Sequence, residues 1–172
     1  MAGTTVVVVS DTHLRDRGPG GGPARGLPET LLDHLAGADL ILHAGDVVEP
    51  GVLDRLRCYA PVHAVLGNND HALGGQLPHT AIVDVAGVSV GLVHDSGRSQ
   101  GRASRLQRMF PGCPVVVFGH SHVPLAETGI DGQLLFNPGS PTQRRRQPHP
   151  TFGILELHSG RVLGHRLVAV GR

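Results

Sequence analysis

The chain of 172 residues has no tryptophan, one tyrosine and four phenylalanines, so neither a large aromatic core nor a base-stacking surface for nucleic acid is expected. Its two cysteines, Cys58 and Cys113, form no CxxC pair. A disulfide framework and a thiolate metal site are therefore not expected, and two reduced thiols suit the cytoplasm. No apolar run approaches the roughly 18 residues that a membrane span needs. The start of the chain, MAGTTVVVVSD, lacks the basic segment and the length of a signal peptide. Net charge is also nearly absent: at +1, no whole-molecule field draws the chain to nucleic acid or anionic lipid. The expectation is one soluble domain over residues 1–172, cytoplasmic, without a membrane or nucleic-acid partner, and free to form a homo-oligomer.

What the chain does have is valine, leucine and histidine. Thr4–Val9, Asp39–His43, Pro61–Leu66 and Val115–Phe118 are short apolar runs rich in β-branched residues, which read as buried strands. Helical patterns lie among them at Pro28–Ala36, Val52–Tyr59 and Arg98–Phe110. This alternation predicts an α/β layered fold with a largely parallel sheet. A second series has a hairpin rhythm, with Thr80–Val85 and Val88–Val93 around Ala86-Gly87, then Leu134–Phe136, Thr151–Leu157 and Arg161–Val168. Two sheets with helices outside them account for both series. Residues 15–27, RDRGPGGGPARGL, are too rich in Gly and Pro for regular structure and predict a flexible loop beside the first polar cluster.

Five of the strands end in polar clusters: Asp11-Thr12-His13, Gly45-Asp46, Gly67-Asn68-Asn69-Asp70, His94, and Gly119-His120-Ser121-His122. The crevice beyond the carboxyl ends of parallel strands is where open α/β sheets bind ligands. Carboxylate and imidazole together suit Mn, Ni, Zn, Fe or Co. Side chains alternate on extended backbone, so Asp11 and His13 could reach one metal together, and His120 and His122 could each face a different one. Burying so many of these groups without a cation would cost many kcal/mol. Each cluster alone is an ordinary turn; the ordered set is what carries the signal.

The set DTH, GD, GNND, H and GHSH resembles the five-motif signature of the calcineurin-like metallophosphoesterases. The short chain, Asn137-Pro138-Gly139-Ser140 and the TFGILEL segment from Thr151 resemble the small prokaryotic phosphodiesterase branch of the YfcE type. The resemblance runs from about residue 4 to 168. It implies a single-domain αββα fold, a two-sheet β-sandwich flanked by helices. It implies two divalent metal ions, Mn foremost, with Ni, Zn, Fe or Co as alternatives. One would be held by Asp11, His13, Asp46 and His122, the other by Asp46, Asn68, His94 and His120, with Asp46 bridging. The implied activity is hydrolysis of a small phosphate ester, a diester rather than a monoester, by attack of a metal-bridging hydroxide. Such ions, roughly 3.5–4 Å apart, acidify the attacking water and neutralise phosphate charge.

Two positions depart from the family pattern. Asn69 stands where His or Cys is usual, and an amide can bind phosphate but cannot protonate a leaving oxygen. His71, close by, is the candidate substitute acid. Asp95 stands where Gly is common, and its carboxylate could bond a ligand imidazole. Asn69, His71 and Asp95 are thus the candidate catalytic side chains. Arg144-Arg145-Arg146 follows the NPGS loop and reads as a solvated face, with phosphate recognition as the alternative. His34, His43, His63, His79, His149, His158 and His165 read as structural or surface residues. The competing function is a catalytically weak metal-binding scaffold or interaction module, as the related eukaryotic retromer subunit is.

Overall fold

A computed structural model of the chain describes residues 3–15 and 26–171. Among these described residues, ten strands and three α-helices follow in the order β1 (Thr4–Val9), α1 (Glu29–Leu35), β2 (Leu40–His43), α2 (Pro50–Arg57), β3 (Val62–Ala64), β4 (Thr80–Val85), β5 (Val88–Val93), α3 (Arg102–Met109), β6 (Val115–Val117), β7 (Leu125–Thr128), β8 (Leu134–Asn137), β9 (Thr151–His158) and β10 (Arg161–Ala169). They form two five-stranded sheets, ordered β10-β9-β1-β2-β3 and β4-β5-β6-β8-β7.

The expected largely parallel sheet is corrected to two mixed ones. β1, β2 and β3 run parallel from the middle of the first sheet to its edge, and β5, β6 and β8 form a parallel centre in the second. In the first sheet β9 pairs antiparallel with β1 and β10 antiparallel with β9, both on one side; in the second, antiparallel β4 and β7 form the two edges. Of the hairpin series noted in the sequence, β4, β9 and β10 extend the parallel strands, while β5 and β8 belong to the parallel centre of the second sheet. β7, with its mostly exposed Leu125–Thr128, carries too little apolar signal to be read as a strand.

Continuous apolar runs form where both faces of a strand are covered. In β1, Val6 and Val8 face the inter-sheet core with Leu42, Val90, Val117 and Leu155. The alternate residues Val7 and Val9 pack under α1 and α2 against Leu31, Leu35, Val52 and Leu56. α3 covers the far sheet, setting Leu106 and Phe110 against Val116 and Leu135. This helix begins four residues later than expected. Gly101 takes a left-handed φ of 71°, and the Arg105 guanidinium holds the carbonyls of Ser96, Arg98 and Gln100, which shapes this stretch as a loop. Of the Gly/Pro-rich loop only Arg15, Gly26 and Leu27 are described; residues 16–25 lie outside the described residues. No helix among the described residues is long and apolar enough to cross a membrane.

The topology fixes the location of the chemistry. Parallel β1, β2 and β3 deliver Asp11, Asp46 and Asn68 to one end of their sheet. Parallel β5 and β6 deliver His94 and His120 to the matching end of the other. The two ends are tied together by the His120 N–H to Asp11 Oδ2 at 2.9 Å and by the His94 Nδ1 to Ala44 O at 2.7 Å.

Candidate metal centre

All seven of the side chains singled out as metal ligands meet at this end of the sandwich. On one side, Asp11 Oδ1 lies 3.3 Å from His122 Nε2 and 3.7 Å from His13 Nε2, and His13 Nε2 lies 3.4 Å from Asp46 Oδ2. On the other side, His94 Nε2 lies 3.5 Å from the same Asp46 oxygen and 3.0 Å from Asn68 Oδ1, which in turn lies 2.9 Å from His120 Nδ1. Asp46 Oδ2 therefore stands between two groups of ligand atoms. Ligand atoms bonded at ~2.1 Å to one ion are separated by roughly 3.0–3.4 Å, so the spacing of both groups suits a cation.

Backbone conformation brings these atoms together, and it is not the extended alternation anticipated from D-x-H and H-x-H. Asp11, His13, Asp46, His120 and His122 all have positive φ, between 44° and 67°. Left-handed backbone at a non-glycine residue costs about 1–3 kcal/mol and persists where surroundings over-determine it. Here main-chain bonds do so: Asp11 N–H to Gly45 O and His13 N–H to Asp46 O. The same turns send His120 toward Asn68 and His122 toward Asp11, so the two imidazoles serve opposite halves of the site.

Second partners fix the imidazole tautomers. His94 Nδ1 donates to Ala44 O at 2.7 Å and His122 Nδ1 donates to Gln143 O at 2.7 Å. Each ring therefore turns its Nε2 toward a carboxylate oxygen, and the space between the two atoms calls for a positive charge, whether a proton on the ring or a metal cation. Asp11 Oδ1 sharpens the point, because it is buried and has no hydrogen-bond partner among the described residues. Burial opposes the charge of Asp11, but the imidazoles of His122, His13 and His94 and the Ser10 hydroxyl outweigh it and hold the carboxyl below the usual range. Asp46 is likewise held low: burial raises it, while His94 and the Asn69 backbone and side chain pull it further down. For His94, burial works against protonation, and Asp46 and Asp11 overcome it to raise the imidazole.

The three candidate catalytic side chains have different placements. Asn69 belongs to the site: its N–H donates to Asp46 Oδ1 at 2.8 Å and its Nδ2 to Asp46 Oδ2 at 2.7 Å, so it aims that carboxylate. His71 is exposed at the start of a short 3-10 turn. Asp95 accepts the Gly97 N–H at 2.7 Å, the ordinary turn, and the orienting partner of His94 is a main-chain carbonyl instead.

Several supporting residues had no role assigned from sequence. Buried Asp70 accepts the N–H groups of Gly67 at 2.7 Å, Val48 at 2.7 Å and Asp46 at 2.9 Å, bracing the turns that carry Asp46 and Asn68. Asn137 Nδ2 donates to Gly119 O and Ser121 Oγ, shaping the GHSH loop. His43 is wholly buried and accepts the Gly45 N–H at Nδ1, so its Nε2 donates to Thr12; burial pushes its pKa down to about 4 and keeps it neutral. Glycine is required at 67 and 119, where a Cβ would collide with Asp46 and with Ser10. The Asn in NPGS and the Asp closing GNND are visible in sequence, but which amides they bond is a property of the fold.

Comparison with known proteins agrees with this geometry. Residues 5–160 match the family model for the calcineurin-like phosphoesterase superfamily domain. A relative from Methanothermobacter thermautotrophicus, named a probable metallophosphoesterase, is 36% identical over 166 residues, which is 95% of this chain and 91% of that protein. Wild-type Vps29 from Entamoeba histolytica, solved in complex with zinc, superposes with a TM-score of 0.70 at 23% identity over 98% of this chain and 100% of that one. An archaeal phosphodiesterase superposes with a TM-score of 0.68 at 20% identity, over 96% of this chain and 99% of its own. At these identities the two solved structures attest the fold.

Proposed function

Since the chain belongs to the calcineurin-like phosphoesterase superfamily, we propose that it is a hydrolase of small phosphodiesters that works with two divalent cations. The observation that carries this reading is the pair of inward-facing Nε2 atoms of His94 and His122, 3.5 Å from Asp46 Oδ2 and 3.3 Å from Asp11 Oδ1, with each Nδ1 engaged by a main-chain carbonyl. Asp11, His13, Asp46 and His122 would hold one ion, and Asp46, Asn68, His94 and His120 the other. Bound there, divalent cations supply Lewis acidity, which lowers the pKa of water toward ~7 and neutralises phosphate charge. Mn²⁺ is the first candidate for a site of carboxylate, amide and imidazole, with Ni, Zn, Fe and Co close behind.

The chain's own contribution is positioning. Asn69 and Asp70 fix Asp46 from its side chain and its main chain. Ala44 and Gln143 fix the rings of His94 and His122. The diester preference follows the archaeal phosphodiesterase of the same fold. Two free cysteines, Cys58 and Cys113, are in keeping with a cytoplasmic setting.

The test is a metal-by-substrate screen. Purified protein should take up two Mn²⁺ per chain and hydrolyse bis(p-nitrophenyl) phosphate. If the loaded protein turns over no ester with Mn, Ni, Co, Zn or Fe, an interaction module of the same fold replaces this reading. That alternative is favoured by Asn69, which has no proton to give a leaving group.

A sharper expectation concerns the leaving group. Without an acid at position 69, aryl esters should be hydrolysed far faster than alkyl esters. Asn69→His should raise alkyl-ester turnover about tenfold or more, with a much smaller gain for aryl esters. Equal gains for both classes, at unchanged metal content, would show that no proton is missing there.

A further inference from the structure

The loop after β8 is clamped onto the candidate centre from both sheets. Ser140 Oγ donates to Asp11 O at 2.7 Å, and Thr142 Oγ1 donates to Thr12 O at 2.6 Å. Gln143 O receives the His122 Nδ1 proton. The next three residues are Arg144, Arg145 and Arg146, all exposed. Arg145 has a left-handed φ of 49°, and its Nη1 reaches the main-chain carbonyl of His120 at 3.4 Å. Arg144 is held by Gln147 O at 2.7 Å and lines a cavity of about 370 Å³ with Thr142, His149 and Pro150.

This placement changes the meaning of the arginine run. Adjacent guanidinium groups repel; elsewhere on the surface Asp54 relieves Arg57 and Glu156 relieves Arg166. Among the described residues no carboxylate pairs with Arg144, Arg145 or Arg146. They are held on a braced loop one step outside the ligand atoms. A planar guanidinium fork matches two oxygens of a phosphate. Arg145 is anchored on the carbonyl of His120, while the Nδ1 of that residue faces Asn68. The guanidinium therefore stands at the rim and meets a group beyond the scissile phosphate.

We propose that Arg145, flanked by Arg144 and Arg146, forms an anion subsite that takes a second, non-scissile phosphate of a small substrate. The subsite rests on the phosphoesterase reading and gives it a substrate class: diesters of phosphorylated small molecules, such as nucleotides with a further phosphate.

A matched pair of substrates tests it: thymidine 5′-(p-nitrophenyl phosphate) with and without a 3′-phosphate. The 3′-phosphate should lower KM about tenfold in the wild-type protein. In Arg145→Ala that ratio should collapse toward one, and Arg145→Lys should restore part of it. Calorimetry gives a readout independent of turnover. Thymidine 3′,5′-bisphosphate should bind the metal-loaded wild-type protein about tenfold more tightly than thymidine 5′-phosphate, and Arg145→Ala should erase the difference. If neither ester is hydrolysed but the binding difference holds, the activity reading fails and the subsite stands. An equal KM shift on both esters, or no gain from the second phosphate, overturns the subsite. Tighter binding of a single-stranded oligonucleotide than of the bisphosphate overturns the small-molecule assignment.

Discussion

Asp46→Ala should abolish turnover, by at least about a thousandfold, and reduce bound metal from two ions to one or none. The reason is the position of one oxygen. Asp46 Oδ2 is 3.4 Å from His13 Nε2 and 3.5 Å from His94 Nε2, so it faces both ligand groups. Loss of any other ligand impairs one half of the site; loss of Asp46 impairs both. It also releases Asn69, whose two donors hold this carboxylate. Asp46→Asn keeps the shape but removes the charge that offsets two dications, so it should recover little. Metal content by elemental analysis and turnover of bis(p-nitrophenyl) phosphate measure the two effects separately. An alanine variant that keeps two ions and works within tenfold of the wild-type protein would eliminate the bridging role.

Asp70→Ala should be the most destabilising change at the site, although Asp70 holds no metal in this reading. Its carboxylate accepts three main-chain N–H groups, the buried ones of Asp46 and Gly67 and the partly buried one of Val48. Leaving buried donors unpaired costs about 1–3 kcal/mol each, less where water fills the gap, so a loss of about 3–5 kcal/mol is expected. For a chain of this size that lowers Tm by about 10 °C. The turns bearing Asp46 and Asn68 lose their brace, so metal affinity should fall about 10–100-fold with every ligand still in place. Asp70→Asn, which keeps one acceptor oxygen, should lose less stability. Thermal denaturation of the metal-free protein and metal titration read the two losses. If Asp70→Ala stays within 1 kcal/mol of the parent and binds metal as well, the bracing account is wrong.

The contrast between Asp46 and Asp70 shows how legibility divides. Asp46 follows a buried strand and a glycine, as the other ligand clusters also follow strands, so its chemistry can be read from type and order. Asp70 closes GNND and reads as a turn residue. Its weight comes from donors 22 and 24 positions away, which local pattern cannot supply. Asp95 is the converse: a carboxylate beside a ligand histidine suggests a partner for it, yet it folds back onto Gly97 while Ala44, remote in sequence, takes that task. Arg144–Arg146 read as a solvated run because composition gives no hint that the loop is pinned to Asp11, Thr12 and His122.

The sequence by itself determined the buried strands, the two-sheet architecture and the polar clusters at the strand ends, and the family resemblance those clusters carry picked out the seven ligand side chains. Periodicity and ligand chemistry are local properties, written in residue types and their spacing. Only the tertiary structure decided that each sheet joins three parallel strands to antiparallel neighbours, that left-handed turns rather than extended backbone aim the ligands, and that Asp70 and Asn69 brace Asp46 between the two groups. Those outcomes depend on which strands become neighbours and which distant amides find acceptors, and both are settled by packing and hydrogen-bond satisfaction over the whole chain.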